Sequence, residues 1–65
     1  MPKFYISDRG SKFPLVFMAK DGEVFYALKD NPKDPWEYVR FYDVAILEDC
    51  YEEIKYKESN HAYSY

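Results

Sequence analysis

The fold is decided by residues 14–29, PLVFMAKDGEVFYALK, in which two apolar runs flank Asp21-Gly22. Both central residues of a type I′ turn need a positive φ angle, and Asp-Gly takes such angles readily. The stretch therefore predicts a β-hairpin with a two-residue loop, paired in register outward from Lys20 opposite Glu23. The alternative is a type I turn followed by a G1 bulge at Gly22, which would shift the pairing by one residue and regroup the faces without making either of them polar. Because side chains alternate between the faces of a strand, one face carries Leu15, Phe17, Ala19, Val24, Tyr26 and Leu28, and the other carries Val16, Met18, Phe25 and Ala27.

Both faces of this hairpin are apolar, which is typical of strands in the interior of a sheet, and each face needs a cover. A chain of 65 residues can bury about 60% of the surface that it exposes when unfolded. We therefore expect a helix to cover one face and the face with Met18 and Phe25 to stay open as a contact surface. Self-association into a homodimer is the simplest cover for such a surface. Inserting a charge at either residue is then expected to abolish binding and leave the fold largely intact.

The C-terminal half of the chain has two interpretations. The first is a helix from about Asp43 to Lys57, with Asp43 as its N-cap. The second is a long bent strand over residues 39–47 followed by another strand over residues 51–57. In the helical interpretation, the apolar stripe consists of Val44, Ile46, Leu47, Cys50, Tyr51 and Ile54, and the opposite side is one acidic ridge of Glu48, Asp49, Glu52 and Glu53.

The predicted fold class is α+β. It has a small antiparallel sheet of three or four strands, with the hairpin at its centre and one C-terminal helix over one face. The alternative is an all-β, five-stranded, partly closed barrel of the SH3 or OB type. We expect a single domain over residues 1–65, with residues 59–65 as a frayed tail.

The only tryptophan, Trp36, follows a loop at residues 30–35 that contains two prolines. Prolines exclude a continuous helix or a central strand across this loop. Trp36 is interpreted as a plug that closes one end of the core, with an exposed anchor for a partner as the alternative.

The single cysteine and the single histidine form no catalytic or metal-binding pattern. Cys50 and His61 are too few for a tetrahedral metal site, and Cys50 has no activating histidine beside it in the sequence. We expect Cys50 to be a half-buried structural thiol, and we expect neither a cofactor nor enzymatic activity. One cysteine suits a reducing cytoplasm. No apolar run approaches the roughly 20 residues that cross a bilayer, so no membrane partner is expected.

Charge and aromatic content favour a binding protein. The net charge is −3, and the chain has eight Tyr, five Phe and one Trp, more than a core of this size can use. We expect a protein-binding module whose partner presents a basic surface. The predicted contact residues are Met18, Phe25, Trp36, Glu48, Asp49, Glu52 and Glu53.

In its small size, acidity, aromatic content and near lack of cysteine, the chain resembles phage-encoded inhibitors of host enzymes and host defences. The resemblance is one of style, without a shared motif. It implies a viral inhibitor of a host nucleic-acid-binding or defence protein, in which the acidic ridge imitates the phosphates of DNA.

A single-stranded nucleic-acid-binding domain is the alternative function. Bases would stack on aromatic side chains of the strands, with lysines along the backbone. The net negative charge counts against nucleic acid as the partner, because Lys and Arg drive phosphate binding. The stacking platform would be formed by Phe4, Phe17, Tyr26, Tyr38 and Tyr42.

Overall fold

The computed structural model describes residues 1–7 and 10–61. It contains a sheet on which one helix packs, and a short 3₁₀ helix near the C-terminal end of the described residues. In chain order, the elements are β1 (Lys3–Ile6), β2 (Leu15–Lys20), β3 (Glu23–Leu28), β4 (Glu37–Tyr38), α1 (Val44–Cys50), β5 (Glu52–Ile54) and the 3₁₀ helix (Glu58–Asn60).

The sheet has the strand order β4-β3-β2-β1-β5, and all neighbouring strands are antiparallel. The α+β fold class is confirmed, with a five-stranded sheet where three or four strands were expected. The sheet is open, with β4 and β5 at its edges, so the barrel alternative is wrong. The hairpin strands β2 and β3 have neighbours on both sides, as their apolar faces predicted.

The hairpin has the predicted register, from Leu15 opposite Leu28 to Lys20 opposite Glu23. Its turn residues Asp21 and Gly22 have φ angles of 54° and 79°, as a type I′ turn requires. Local turn chemistry therefore sets the pairing of the two central strands.

Helix α1 begins where the sequence predicted and ends much earlier. The Asp43 carboxylate accepts a hydrogen bond of 3.0 Å from the main-chain N–H of Ile46, which confirms Asp43 as the N-cap. The helix ends at Cys50 instead of about Lys57, and the chain continues as β5. In β5, Ile54 pairs with Phe4, so β5 supplies the main-chain partner for the outer edge of β1. Each of the two interpretations was therefore correct for part of this segment.

Segments of the chain itself pack on both faces of the sheet. On the helix side, the buried residues are Tyr5, Phe17, Ala19, Val24 and Leu47. On the opposite side, they are Phe4, Val16, Met18, Phe25, Ala27 and Trp36, with Ile54 and Tyr56 packed against them. The expectation that the face with Met18 and Phe25 stays open is wrong, because the loop before β4 and the segment after β5 fold over it.

Trp36 closes one end of the core on the face opposite the helix, which we call the second core; the core on the helix side is the first core. Its side chain is 1% exposed, and its ring lies 5.9 Å from that of Phe4. Its indole Nε1 donates a hydrogen bond of 2.9 Å to the main-chain carbonyl of Glu58. Trp36 therefore joins the loop before β4 to the C-terminal segment, and the alternative of an exposed anchor is wrong.

His61 is buried, so the expectation of a frayed tail is wrong for residues 59–61, while residues 62–65 lie outside the described part. The ring nitrogen Nδ1 donates to the main-chain carbonyl of Asn31 at 2.9 Å. In the neutral ring, Nε2 then accepts from the Tyr56 hydroxyl at 2.8 Å. The Tyr56 oxygen in turn accepts from the main-chain N–H of Asp30. These bonds hold the C-terminal segment against the proline loop.

Candidate functional site

Three of the predicted contact residues lie in the interior. Met18 is 1% exposed, Phe25 is 6% exposed and Trp36 is buried as described. These side chains stabilise the second core and form no exposed patch in this fold.

The four predicted acidic residues are exposed but do not form one ridge. The helix stops before Glu52, and strand residues alternate between faces. Glu53 pairs with Tyr5 on the helix side of the sheet, whereas Glu52 pairs with Ile6 and so belongs to the opposite face. The pKa of Tyr5 is raised by burial and then by the charges of Glu53 and Glu48, so these two carboxylates both act on the Tyr5 side of the sheet. The prediction of a single ridge is therefore wrong.

An open apolar groove lies on the helix side of the sheet, beyond the reach of the short helix. We call it the aromatic groove. Its volume is about 270 Å³, and Phe41 on its rim is 87% exposed. It is lined by Leu15, Phe17, Tyr26, Val39, Phe41 and Tyr42.

Contacts between aromatic rings fix the position of the Phe17 ring in the aromatic groove. The ring of Phe17 lies 5.5 Å from that of Tyr42, 6.3 Å from that of Tyr26 and 5.0 Å from that of Tyr51, on which it stacks. The hydroxyls of Tyr42 and Tyr51 are 3.3 Å apart. Their hydrogen bond, followed by burial, raises the pKa of Tyr51 to about 12. The groove is thus preorganised by rings that pack on the first core.

A carboxylate lies beside Tyr26, one of the residues that line the aromatic groove. Glu37 pairs with Tyr26 across β4 and β3 and lies on the same face. A hydrogen bond with Glu37, then its charge, raises the pKa of the Tyr26 hydroxyl. Across the whole sheet, register places one row on this face, running Glu53, Tyr5, Phe17, Tyr26 and Glu37. The row is aromatic in its centre and acidic at both ends.

Sequence reasoning missed the importance of Phe41 and Val39. Strand β4 contains only Glu37 and Tyr38, and the chain then leaves the sheet. The sequence did carry one signal for the exposure of Phe41: apolar residues continue after the end of this short edge strand. The sequence could not tell which of them would be left exposed.

Other features of the described residues bear on chemistry. Cys50, expected to be half-buried, is exposed at the end of the helix. Within residues 1–7 and 10–61, no group of three or more His, Cys, Asp or Glu side chains is arranged to hold a metal ion. In the same part of the chain, no helix has the length and apolar character to cross a bilayer.

Comparisons with known proteins give no family for this chain, because no family model, no curated protein and no solved structure matches it.

Proposed function

We propose that the protein is a small, non-enzymatic protein-binding module whose contact surface is the aromatic groove. The observation that supports this most is the exposure of Phe41, 87% of whose side chain is open to water next to the buried ring of Phe17. An apolar groove rimmed by polar groups is typical of a binding surface, and aromatic residues are enriched at the centres of such surfaces.

The charges favour a partner with a basic surface. The net charge is −3, and Glu37, Glu48 and Glu53 lie on the same side of the sheet as the groove. Opposite charges steer association and set specificity more than they raise affinity. An inhibitor that imitates DNA with one acidic ridge has less support, because Glu52 and Glu53 point to opposite faces.

Single-stranded nucleic acid is the second candidate occupant. Of the five aromatic residues expected to form a stacking platform, Phe17, Tyr26 and Tyr42 line the aromatic groove, whereas Phe4 is buried on the other face. Three rings in one groove could stack bases. The carboxylate of Glu37 at the groove opposes phosphate, so a protein partner is favoured.

The test is capture of a partner from cell lysate by the immobilised protein and by two matched variants. Phe41→Ala removes the rim of the aromatic groove, and Phe13→Ala removes a second phenylalanine that is 67% exposed and does not line the groove. We expect one protein to be retained by the wild type and by Phe13→Ala and to be lost with Phe41→Ala. Equal retention by all three proteins would contradict the proposal.

Two further measurements separate the other occupants. Salt-sensitive retention of the wild type on single-stranded DNA, lost with Phe41→Ala, would favour the nucleic-acid function instead. A dimer in sedimentation equilibrium that dissociates with Phe41→Ala would make a second copy of the chain the occupant of the groove.

A further inference from the structure

We propose that the group recognised by the aromatic groove is an arginine side chain of the partner, with its guanidinium packed on the aromatic rings and its charge beside Glu37. This inference rests on the proposed function and adds the chemistry of the contact. It specifies one kind of side chain as the ligand of the groove, and a short peptide that contains this side chain can therefore be used to test it.

The aromatic rings of the groove favour a cation as its ligand. Phe17, Tyr26, Tyr42 and Phe41 line one groove, and the Phe17 ring lies within 6.3 Å of both tyrosine rings. The faces of such rings attract cations within about 6 Å of the ring centre. Aromatic rings in the lining of the groove therefore offer a cation favourable contacts.

The carboxylate of Glu37 provides a negative charge for the same ligand. Glu37 is exposed and is bonded to the hydroxyl of Tyr26, so its remaining oxygen positions can accept hydrogen bonds from a ligand. Asp34, whose carboxylate accepts from the main-chain N–H of Leu28 at 2.7 Å, adds negative charge near the same tyrosine. Together these two carboxylates make the surroundings of Tyr26 negative, as a cation requires.

One neighbouring charge opposes the ligand. Arg40 is exposed and directly precedes Phe41. Its guanidinium repels a second cation, so replacing it with a neutral residue should strengthen binding. A gain in affinity when this positive charge is removed distinguishes charge recognition from simple hydrophobic contact, which the charge would not affect.

Arginine fits better than lysine for two reasons. The guanidinium is planar and can stack on a ring while donating to a carboxylate. It is also more weakly hydrated than an ammonium group, so an apolar groove removes it from water at a lower cost.

The experiment titrates the protein with three short glycine-serine peptides that differ in one central residue: arginine, citrulline or lysine. Citrulline keeps the shape of arginine and lacks its charge. Binding is followed by the chemical shifts of the ring protons of Phe41, Tyr26 and Tyr42. We expect saturable shifts with the arginine peptide, at least tenfold weaker binding of citrulline, and severalfold weaker binding of lysine.

Variants test the charges. Glu37→Gln, which can still accept from Tyr26, should weaken arginine binding severalfold, and Arg40→Gln should strengthen it. Glu23→Gln, which changes an exposed carboxylate at the hairpin turn, should have no effect.

The failures of the two proposals can be told apart. Equal binding of citrulline and arginine, or equal binding of lysine and arginine, would overturn the arginine inference, and so would shifts that do not involve the groove rings. If a partner is still lost with Phe41→Ala in that case, the protein-binding function stands and only its chemistry is wrong.

Discussion

The indole of Trp36 donates its hydrogen bond to the main-chain carbonyl of Glu58, 22 positions further along the chain, at 2.9 Å. The side chain of Glu58 also pairs with Lys20 at the same distance of 2.9 Å. One short 3₁₀ helix is thereby joined to the hairpin and to the loop before β4. The second core is closed by these long-range contacts.

We expect Trp36→Phe to lower the free energy of unfolding by about 2–4 kcal/mol. The loss combines a cavity with a carbonyl left without its donor. A domain of this size has only about 3–5 kcal/mol to spare, so the variant is near the limit of folding. Urea denaturation followed by circular dichroism measures the change. Phe13→Ala, at an exposed site, should change stability by less than about 0.5 kcal/mol, and an equally small change for Trp36→Phe would contradict the role of a plug.

Met18→Glu should unfold the protein, whereas the same substitution on an open face would leave it folded. Met18 is almost fully buried on the face that Trp36 closes, and a buried unpaired carboxylate costs several kcal/mol. Phe13→Glu, at an exposed position, is the matched control and should remain folded. A cooperative thermal transition for Met18→Glu close to that of the wild type would show that the second face is not a core.

Gly22→Ala should destabilise the hairpin by about 1–2 kcal/mol through its backbone alone. Gly22 has a φ angle of 79°, and a Cβ atom added there would meet nothing within 4 Å, so the cost is that of a left-handed conformation. Asp21→Asn keeps a residue that tolerates this conformation and should change stability by less than about 0.5 kcal/mol. Equal stabilities of the two variants would argue against the type I′ turn.

Stability should fall as the pH rises from about 10 to about 12. The pKa of Tyr51 is raised from 10.0 to about 12 by its hydrogen bond with Tyr42 and by burial. Above pH 10 the unfolded tyrosine loses its proton while the folded one keeps it. The unfolded state therefore binds fewer protons, and the stability contributed by this group is complete below pH 10 and is lost through the folded pKa.

Tyr42→Phe provides the control for this pH effect. It removes the hydroxyl that bonds to Tyr51 and keeps the ring on Phe17, so the pKa of Tyr51 should move back towards 10. Ultraviolet titration of the tyrosines measures the shift. An unchanged titration of Tyr51 in this variant would show that burial alone is responsible.

The sequence by itself determined the features that depend on neighbouring residues. Asp21 and Gly22 set the hairpin and its register, Asp43 set the start of the helix, and the apolar character of both hairpin faces set its central place in the sheet. Turn geometry, capping and the period of a strand act over a few residues, so they can be inferred without knowledge of distant contacts.

Only the tertiary structure decided what covers each face and what stays open. The helix gives way to a strand after Cys50 because the edge of β1 needs a partner, and Trp36 and His61 are buried because separate segments meet over the second face. The short helix leaves Phe41 and the aromatic groove exposed. Such outcomes depend on packing and hydrogen bonds between residues far apart in the chain, for which local sequence patterns carry no signal.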